Sequence, residues 1–588
     1  MMMKRVKSLL MISLVAIAFI LATRVHAIPP PPEGPVRNYP TEFPLSEPNY
    51  TSKRLRDFSP FESALANFFP ERRRVLDGQL LEASVPKMQE LMKRGGVTAE
   101  ELVVYYIDRI RRYDVNQLNS VMELNPEALT IARKLDEERK QGNLWGAMHG
   151  IPVLIKDNIT TGDKMHTTAG AAALKDWRGD RDAQLVKNLR HSGAVILGKA
   201  NLSEWANYVD PALPSGFSAL GGQTRHPYGP FDPLGSSSGS AVSVAANLTA
   251  VSVGSETQGS ILEPAATNGV VGLKPTHGLV SGDHVIPLVD WMDVPGPMGR
   301  TVVDVATVLT ALTNTDEGAE ENPDPAVAKL QGTDFTQFLT LEAAQKRRVG
   351  IAIYPDAALA VLQQAIAKPP PDLSVEQMRK ALNKLKAQNQ AAKQVIATLT
   401  KQKIPFVEID GRVVPPAPDW NEAFRFGFKA SLNAFLAALP RPPIPDLIDV
   451  ISFNHADPAN RVPYGQRYLE MSQRTDSPSE DYTKLRETNQ TTSRKILDLF
   501  FTSAKIDVLI APTQIYAAAG YPAMTVPIGV SAAGEPQGVA LIGKRLGEPD
   551  LLAVGYAIEQ ATRARKAPNL EVTLAMFKQL NHVVPGKP

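Results

Sequence analysis

Residues 149–158 read HGIPVLIKDN, and this stretch predicts both a buried strand and a chemically reactive side chain. The short apolar run at 151–155 predicts a buried β-strand. Lys156 follows it directly, although lysine is among the residues least often fully buried. Either Lys156 ends the strand and reaches solvent, or it is a desolvated amine. Burial would lower its pKa and make a neutral amine available as a base.

Outward from this stretch, short apolar runs alternate with helical patterns. Further strands are predicted at residues 194–197, 250–253, 348–353, 507–510 and 538–542. Helices are predicted at 125–139, 183–191 and 550–561. The capping-box spacing of Thr98 and Glu101 predicts the start of another helix, and Ser374 is the predicted N-cap of a long helix that runs through Thr400. The alternation predicts an α/β sandwich.

Composition excludes several classes of protein. The chain has 588 residues, 43% of them hydrophobic, a formal charge of +2 and no cysteine. It is too apolar for a disordered protein and lacks the basic excess of a dedicated nucleic-acid binder. Without cysteine it has no disulfide, thiolate metal site or cysteine nucleophile.

The N-terminus has the layout of a secretory signal peptide. Basic residues precede an apolar run at 9–22 that is shorter than a membrane-spanning helix, and Ala27 closes a small-x-small cleavage pattern. We expect export to the periplasm or the medium with cleavage after Ala27 and no stable membrane insertion; a retained anchor is the alternative. Residues 1–27 hold four basic and no acidic residues, so the mature chain has 59 basic and 61 acidic residues, a net charge of −2.

The predicted mature chain begins with a proline-rich extended segment at 28–56. One large domain is expected over 57–588, with a variable insert at about 312–505 that, with the loop at 208–228, shapes the substrate pocket.

Two small-residue segments follow Lys156 along the chain. Residues 235–240 read GSSSGS, which is either a flexible loop or a G-x-S-x-G nucleophile elbow centred on Ser237. The three prolines of residues 225–234 make the strand that an elbow needs a poor prediction. Residues 254–265 read GSETQGSILEPA after an apolar run, so this segment is either an ordinary polar turn or a loop whose N–H groups hold an oxyanion.

Together these segments resemble the amidase signature family, the serine hydrolases with a Ser–Ser–Lys triad. The ordered matches, from about residue 80 to 566, are GIPVLIKDN (150–158), TTAG (167–170), GAVILGKANLSEWAN (193–207), GSSSGSAV (235–242), SETQGSILEPA (255–265), GVVGLKPTHGLVS (269–281), GPM (296–298) and YPAMTVPIG (521–529). The serine string, the SETQGS form and FGFKASLNAF at 426–435 are most similar to the peptide amidase subgroup. The resemblance implies a single large α/β/α sandwich with a central mixed β-sheet.

The resemblance also implies roles for particular residues. Ser260 would be the nucleophile, Ser236 a bridging serine in a cis peptide, and Lys156 the base. The N–H groups of Thr257, Gln258, Gly259 and Ser260 would meet the oxyanion. No metal or organic cofactor is implied. The substrate would be a small-molecule or peptide amide, with a peptide C-terminal amide as one candidate.

Three departures from the family pattern leave the substrate open. Gln258 stands where many members have glycine, Leu262 where many have arginine, and Ser238 where many have glycine. Asp293 either lines the pocket or has a structural role. Two other functions stay open, a non-catalytic binding protein on this fold and an α/β-hydrolase esterase that uses Ser237. The export signal and the lack of basic excess disfavour a tRNA-dependent amidotransferase subunit.

Overall fold

The computed structural model describes residues 57–314, 324–370, 374–416, 418 and 420–583. The predicted signal peptide and proline-rich segment lie outside these residues. The described chain forms an α/β/α sandwich around one mixed sheet of 11 strands, with a separate two-stranded ribbon. This confirms the predicted fold class.

The strands are, in chain order, β1 (Val121–Leu124), β2 (Pro152–Lys156), β3 (Val195–Ala200), β4 (Phe217–Ser218), β5 (Gly222–Gln223), β6 (Val251–Glu256), β7 (Val271–Lys274), β8 (Val294–Gly299), β9 (Val349–Ile353), β10 (Phe406–Asp410), β11 (Val508–Ile510), β12 (Ala523–Val530) and β13 (Pro536–Gly543). The large sheet has the order β1-β3-β2-β6-β8-β7-β12-β13-β11-β9-β10, and β4 pairs with β5. β2 runs parallel to both of its neighbours, β3 and β6.

The described helices of eight or more residues are α1 (Pro70–Leu80), α2 (Val85–Lys93), α3 (Ala99–Tyr113), α4 (Ala128–Lys140), α5 (Gln184–His191), α6 (Ser238–Ala245), α7 (Val302–Leu312), α8 (Asp356–Ala367), α9 (Val375–Gln402), α10 (Asn421–Ala438), α11 (Leu447–His455), α12 (Glu480–Ala504), α13 (Glu548–Thr562) and α14 (Leu570–Val583). Shorter helices include Glu204–Asn207, Leu262–Thr267 and Arg467–Gln473.

The helix-capping predictions hold in detail. Thr98 accepts a hydrogen bond from the N–H of Glu101, and the Glu101 side chain accepts one from the N–H of Thr98, which completes the capping box of α3. Ser374 caps α9 by accepting from the N–H of Gln377. These caps begin two helices at the residues where the sequence predicts it.

The predicted variable insert at 312–505 is part of the same sheet. It contributes β9 and β10, which pair in parallel with each other at one end of the sheet, and β9 also pairs with β11. Its helices α10, α11 and α12 supply side chains to the second large buried apolar cluster, which also contains Ile261 and Leu262 beside the predicted nucleophile. The insert therefore shares a buried apolar core with the segment where the site is expected.

Over the described ranges, no helix is both long and apolar enough to cross a membrane.

Candidate active site

Lys156 is the last residue of β2 and is fully buried. β2 lies between two parallel neighbours, so its residues are enclosed on both sides and its apolar run carries the lysine into the interior. The amine Nζ lies 2.7 Å from Ser236 Oγ, 3.0 Å from Ser255 Oγ and 3.1 Å from the Ser255 carbonyl oxygen. The structure thus has the desolvated lysine rather than the solvent-exposed one.

The surroundings of Lys156 favour the neutral amine. Burial lowers its pKa to about 7, while the negative charges of Asp293 and Glu256 act in the opposite direction. An amine with this pKa is partly neutral at neutral pH, which is what proton abstraction requires.

Ser236 lies two residues before the start of α6 and is fully buried. The Gly235–Ser236 peptide bond is cis, as the resemblance implies. The carbonyl oxygen of Ser236 accepts a hydrogen bond of 3.0 Å from the N–H of Ser203. Its hydroxyl is the nearest of the three oxygens around the Lys156 amine, so the two side chains can exchange a proton directly.

Ser260 lies in the loop between β6 and the helix Leu262–Thr267. Its carbonyl oxygen accepts a 3.1 Å hydrogen bond from the N–H of Ser237, which ties this loop to the serine segment. Ser260 keeps 7% of its surface exposed, whereas Lys156 and Ser236 keep none. Of the three predicted triad residues, Ser260 is therefore the one that a substrate can reach.

The loop before Ser260 presents unused backbone donors. Within the part of the chain that the structure describes, the N–H groups of Thr257, Gln258, Gly259 and Ser260 form no hydrogen bond with other protein atoms. Unpaired backbone donors are rare in a buried segment, and they match the needs of an oxyanion.

Gly259 is required by the geometry of this loop. Its φ of +74° lies in the left-handed region that favours glycine. A Cβ at this position would come within 2.7 Å of Gln514 Nε2 and 2.9 Å of Glu263 Cδ. A side chain here would therefore strain the backbone and would also displace the ends of the Gln514 and Glu263 side chains.

Side chains on either side hold the loop in place. The Thr257 hydroxyl donates to the carboxylate of Asp293, which also accepts from the N–H groups of Leu288 and Val289. Burial raises the pKa of Asp293 to about 7. Gln258 Nε2 donates to Gln514 Oε1 at 2.7 Å. Asp293 thus contacts the site through Thr257. The side chain of Gln258, which stands where many family members have glycine, is held by its hydrogen bond to Gln514.

Glu256 is a site-forming residue that sequence reasoning missed. It is fully buried at the end of β6, and its Oε2 accepts from the N–H groups of Ile261 and Leu262 at 2.7 and 3.0 Å. Its Oε1 accepts from the Tyr516 hydroxyl at 2.8 Å. Glu256 therefore fixes the chain just after Ser260. The available signal was a glutamate three residues after the end of the apolar run at 250–253.

The other two departures from the family pattern lie beside the triad. Leu262 is 5% exposed and packs in the second apolar cluster, so an apolar contact replaces the family's cation. The Ser238 hydroxyl donates to the carbonyl of Leu234. Neither residue contacts Lys156 or Ser236 through a hydrogen bond.

Ser237 lacks the features of an exposed nucleophile. It is fully buried, its hydroxyl donates to the Ser255 carbonyl at 2.9 Å, and it accepts from the Ser255 N–H at 3.2 Å. No strand is present in residues 225–234, all of which are described. A nucleophile elbow needs an exposed serine at the end of a strand, so the geometry disfavours Ser237 as the reactive group.

A cavity of about 800 Å³ lies elsewhere, between residues 172–180 and residues 439–453. It has none of the predicted triad or oxyanion residues in its lining. In the described ranges, no cluster of three or more histidine, aspartate or glutamate side chains could hold a metal ion.

Known proteins resemble this chain over most of its length. The family model described as Amidase matches residues 101–518. A probable amidase of Arabidopsis thaliana is 36% identical over 497 residues, which covers 83% of this chain and 91% of the relative. An amidase family protein from Bacillus anthracis superposes with a TM-score of 0.77 at 34% identity, covering 89% of this chain and 99% of the other. The native peptide amidase from Stenotrophomonas maltophilia gives 0.72 at 37% identity, covering 83% and 99%.

Proposed function

Because this chain belongs to the amidase family and is an amidohydrolase, we propose that it cleaves a carboxamide through an acyl-enzyme on Ser260. The observation that carries the proposal is the combination of a buried Lys156 amine 2.7 Å from Ser236 Oγ with the N–H groups of residues 257–260, which have no hydrogen-bond partner among the described residues. One supplies a base and the other supplies donors for a developing negative charge.

The first half of the reaction forms the acyl-enzyme. The lone pair of neutral Lys156 takes the hydroxyl proton of Ser236, and Ser236 Oγ takes the proton of Ser260 as Ser260 Oγ attacks the amide carbonyl carbon. The N–H groups of the 257–260 loop hold the resulting oxyanion; loss of one such donor costs about 100- to 1000-fold in rate. The proton then returns through Ser236 to the leaving nitrogen, and the C–N bond breaks.

The second half releases the acid. Water replaces the departed amine and loses a proton to Lys156 through Ser236 as it attacks the acyl carbon. The C–O bond to Ser260 then breaks, and Ser260 regains its proton by the same route. The products are a carboxylic acid and ammonia or an amine, and the enzyme returns to its starting state.

The substrate that we propose is the C-terminal amide of a peptide. The support is the likeness to a peptide amidase at 37% identity over nearly the whole of that enzyme. The proposed location is outside the cytoplasm, on the strength of the signal-like residues 1–27.

A fluorophosphonate probe tests the nucleophile directly. Mass spectrometry of the labelled mature protein should place the adduct on Ser260, and Ser260→Ala should abolish both labelling and ammonia release from peptide amides while the protein stays folded. Ser243→Ala is a matched control, because the hydroxyl of this buried serine of α6 donates to the carbonyl of Ser240 in the same helix.

The other outcomes separate the alternatives. An adduct on Ser237 would favour an esterase, and no adduct together with no turnover would favour a binding protein. Screening peptide, aryl and fatty amides with ammonia or amine as the readout then fixes the substrate class. A preference for aryl or fatty amides would reject the peptide proposal alone.

A further inference from the structure

Ser255 contributes two of the three oxygens around the Lys156 amine, and the proposed triad does not use it. Its hydroxyl lies 3.0 Å and its carbonyl oxygen 3.1 Å from Nζ, while Ser236 Oγ lies at 2.7 Å. Ser255 is 6% exposed and lies on β6, beside the strand that carries the lysine. A second hydroxyl this close to a catalytic amine needs an explanation.

The valence of a neutral amine limits how these three contacts are made. A neutral lysine amine has two N–H groups and one lone pair. A carbonyl oxygen only accepts, so one N–H must point to the Ser255 carbonyl. If the Ser255 hydroxyl accepts the second N–H, the lone pair is left facing the Ser236 hydroxyl, whose contact is the shortest of the three. This is the arrangement in which Ser236 can give up its proton.

Two neighbours fix Ser255 in the position that this requires. Ser237 holds the backbone of Ser255 through two hydrogen bonds, because the Ser237 hydroxyl donates to the Ser255 carbonyl and accepts from the Ser255 N–H. Asn158 holds the side chain of Ser255, because Asn158 Nδ2 donates to Ser255 Oγ at 3.0 Å. The same Nδ2 donates to the carbonyl of Ile286 at 3.2 Å, and since that oxygen can only accept, the orientation of the amide is fixed.

We propose that Ser255, held by Ser237 and Asn158, is a positioning residue that takes both N–H groups of the neutral Lys156 amine and leaves its lone pair aimed at Ser236. The inference rests on the proposed function of Lys156 as the base. In this arrangement the Ser237 hydroxyl holds Ser255 rather than attacking a substrate, and Asn158, two residues after Lys156, holds the Ser255 side chain.

Removing the Ser255 hydroxyl should reduce turnover more than substrate binding. In Ser255→Ala the amine keeps the carbonyl contact but can rotate, so we expect kcat to fall about 10- to 100-fold with KM changed less than about threefold. The hydroxyl also accepts from the protonated amine, so its loss should move the acid limb of the kcat profile to lower pH. The charged groups that face Lys156 are Asp293 and Glu256, and both remain in the variant.

Conservative and matched variants separate positioning from folding. Ser255→Thr keeps the hydroxyl and should recover most of the activity and the wild-type acid limb. Ser255→Cys keeps the shape of the side chain but is a weak hydrogen-bonding partner, so it should show the loss of kcat expected of Ser255→Ala. It provides the test if the alanine protein does not fold. Ser252→Ala is the control, because this buried serine of the same strand donates to the carbonyl of Leu154 instead.

The experiment is a pH series of kcat and KM on peptide amides, with fluorophosphonate labelling of each protein. A Ser255→Ala or Ser255→Cys enzyme within twofold of wild type in kcat, with an unmoved acid limb, would overturn the positioning role while Ser260 labelling upholds the proposed function. Failure of the wild-type protein to label or turn over would overturn the proposed function, and this inference with it.

Discussion

Two buried lysines at the ends of apolar strands, Lys156 on β2 and Lys274 on β7, have different surroundings. Both are fully buried, and burial lowers their pKa values, to about 7 for Lys156 and about 8 for Lys274. The Lys274 amine donates to the carbonyl oxygens of Pro275 and Tyr521 at 3.1 and 2.9 Å. The Lys156 amine contacts one carbonyl and two hydroxyls.

The difference lies in what the partners can do with a proton. Carbonyl oxygens accept N–H groups and have no proton to give, so Lys274 can only tie together the two chain segments that it bridges. A serine hydroxyl can donate as well as accept, so Lys156 can remove a proton from its partner. Burial favours the neutral form of both amines, and in the proposed mechanism only Lys156 takes a proton from its partner, the hydroxyl of Ser236.

We expect the largest effect when Lys156→Met is compared with Lys274→Met. Lys156→Met should lower kcat/KM by about 10⁴-fold, because the proposed base is lost. Lys274→Met should leave the activity of the folded enzyme within about tenfold of wild type. It should instead destabilise the fold by about 1–3 kcal/mol, since two buried carbonyls lose their donor. Ammonia release and chemical denaturation of both proteins measure the two effects.

Equal losses of activity in the two lysine variants, with both proteins folded, would contradict the comparison. A circular dichroism spectrum and a melting temperature for each protein establish that the activity loss in Lys156→Met is chemical.

The next effect isolates the hydroxyl that distinguishes the two lysines. Ser236→Ala leaves Lys156 buried but removes the partner at 2.7 Å, so we expect kcat to fall about 10²- to 10⁴-fold. Ser243→Ala, a buried serine in the following helix, should be close to wild type. A Ser236→Ala enzyme with normal turnover would mean that Lys156 acts on Ser260 without a bridge.

Sequence reasoning predicted much of the fold and, through the family resemblance, predicted Ser236 as a partner of Lys156. The apolar runs before Lys156 and Glu256 form the strands β2 and β6, so the local hydrophobic pattern was enough to predict that both strands exist. The amidase family and the likeness to a peptide amidase were also predicted correctly. β7 and β8 were not predicted, because glycine and proline interrupt their apolar character, as in the VPGPMG of β8.

Apart from Ser236, which the family resemblance implies, the partners of the two buried lysines could not be predicted, since they depend on the strand register. Ser255 and Asn158 lie 97 residues apart and meet only because β2 and β6 are neighbours. Lys274 and Tyr521 are brought together in the same way by β7 and β12. Nothing in the sequence near either lysine tells whether its amine will meet carbonyls or hydroxyls.

A smaller effect is the acid limb of the pH profile. Activity should fall about tenfold for each pH unit below about 7, because protonated Lys156 has no lone pair. Asp293 also has a pKa of about 7, so Asp293→Asn is the necessary variant. Removing that negative charge should lower the pKa of Lys156 and move the limb to lower pH. The limb should stay in place in Lys274→Met; its disappearance in Asp293→Asn would assign it to the aspartate instead.

The smallest effect is the pH dependence of stability, which the two lysines should show in different windows. The unfolded chain binds a proton at each lysine up to a pKa of about 10.4, whereas folded Lys156 releases its proton near pH 7 and folded Lys274 near pH 8. Between these limits the unfolded state holds the extra proton, so each lysine makes stability rise with pH by up to about 1.4 kcal/mol per unit. The melting temperature of wild type relative to Lys156→Met should therefore rise between pH 7 and 8, and relative to Lys274→Met only above about pH 8. Coincident curves for the two variants would mean that the two lysines have the same pKa in the folded protein.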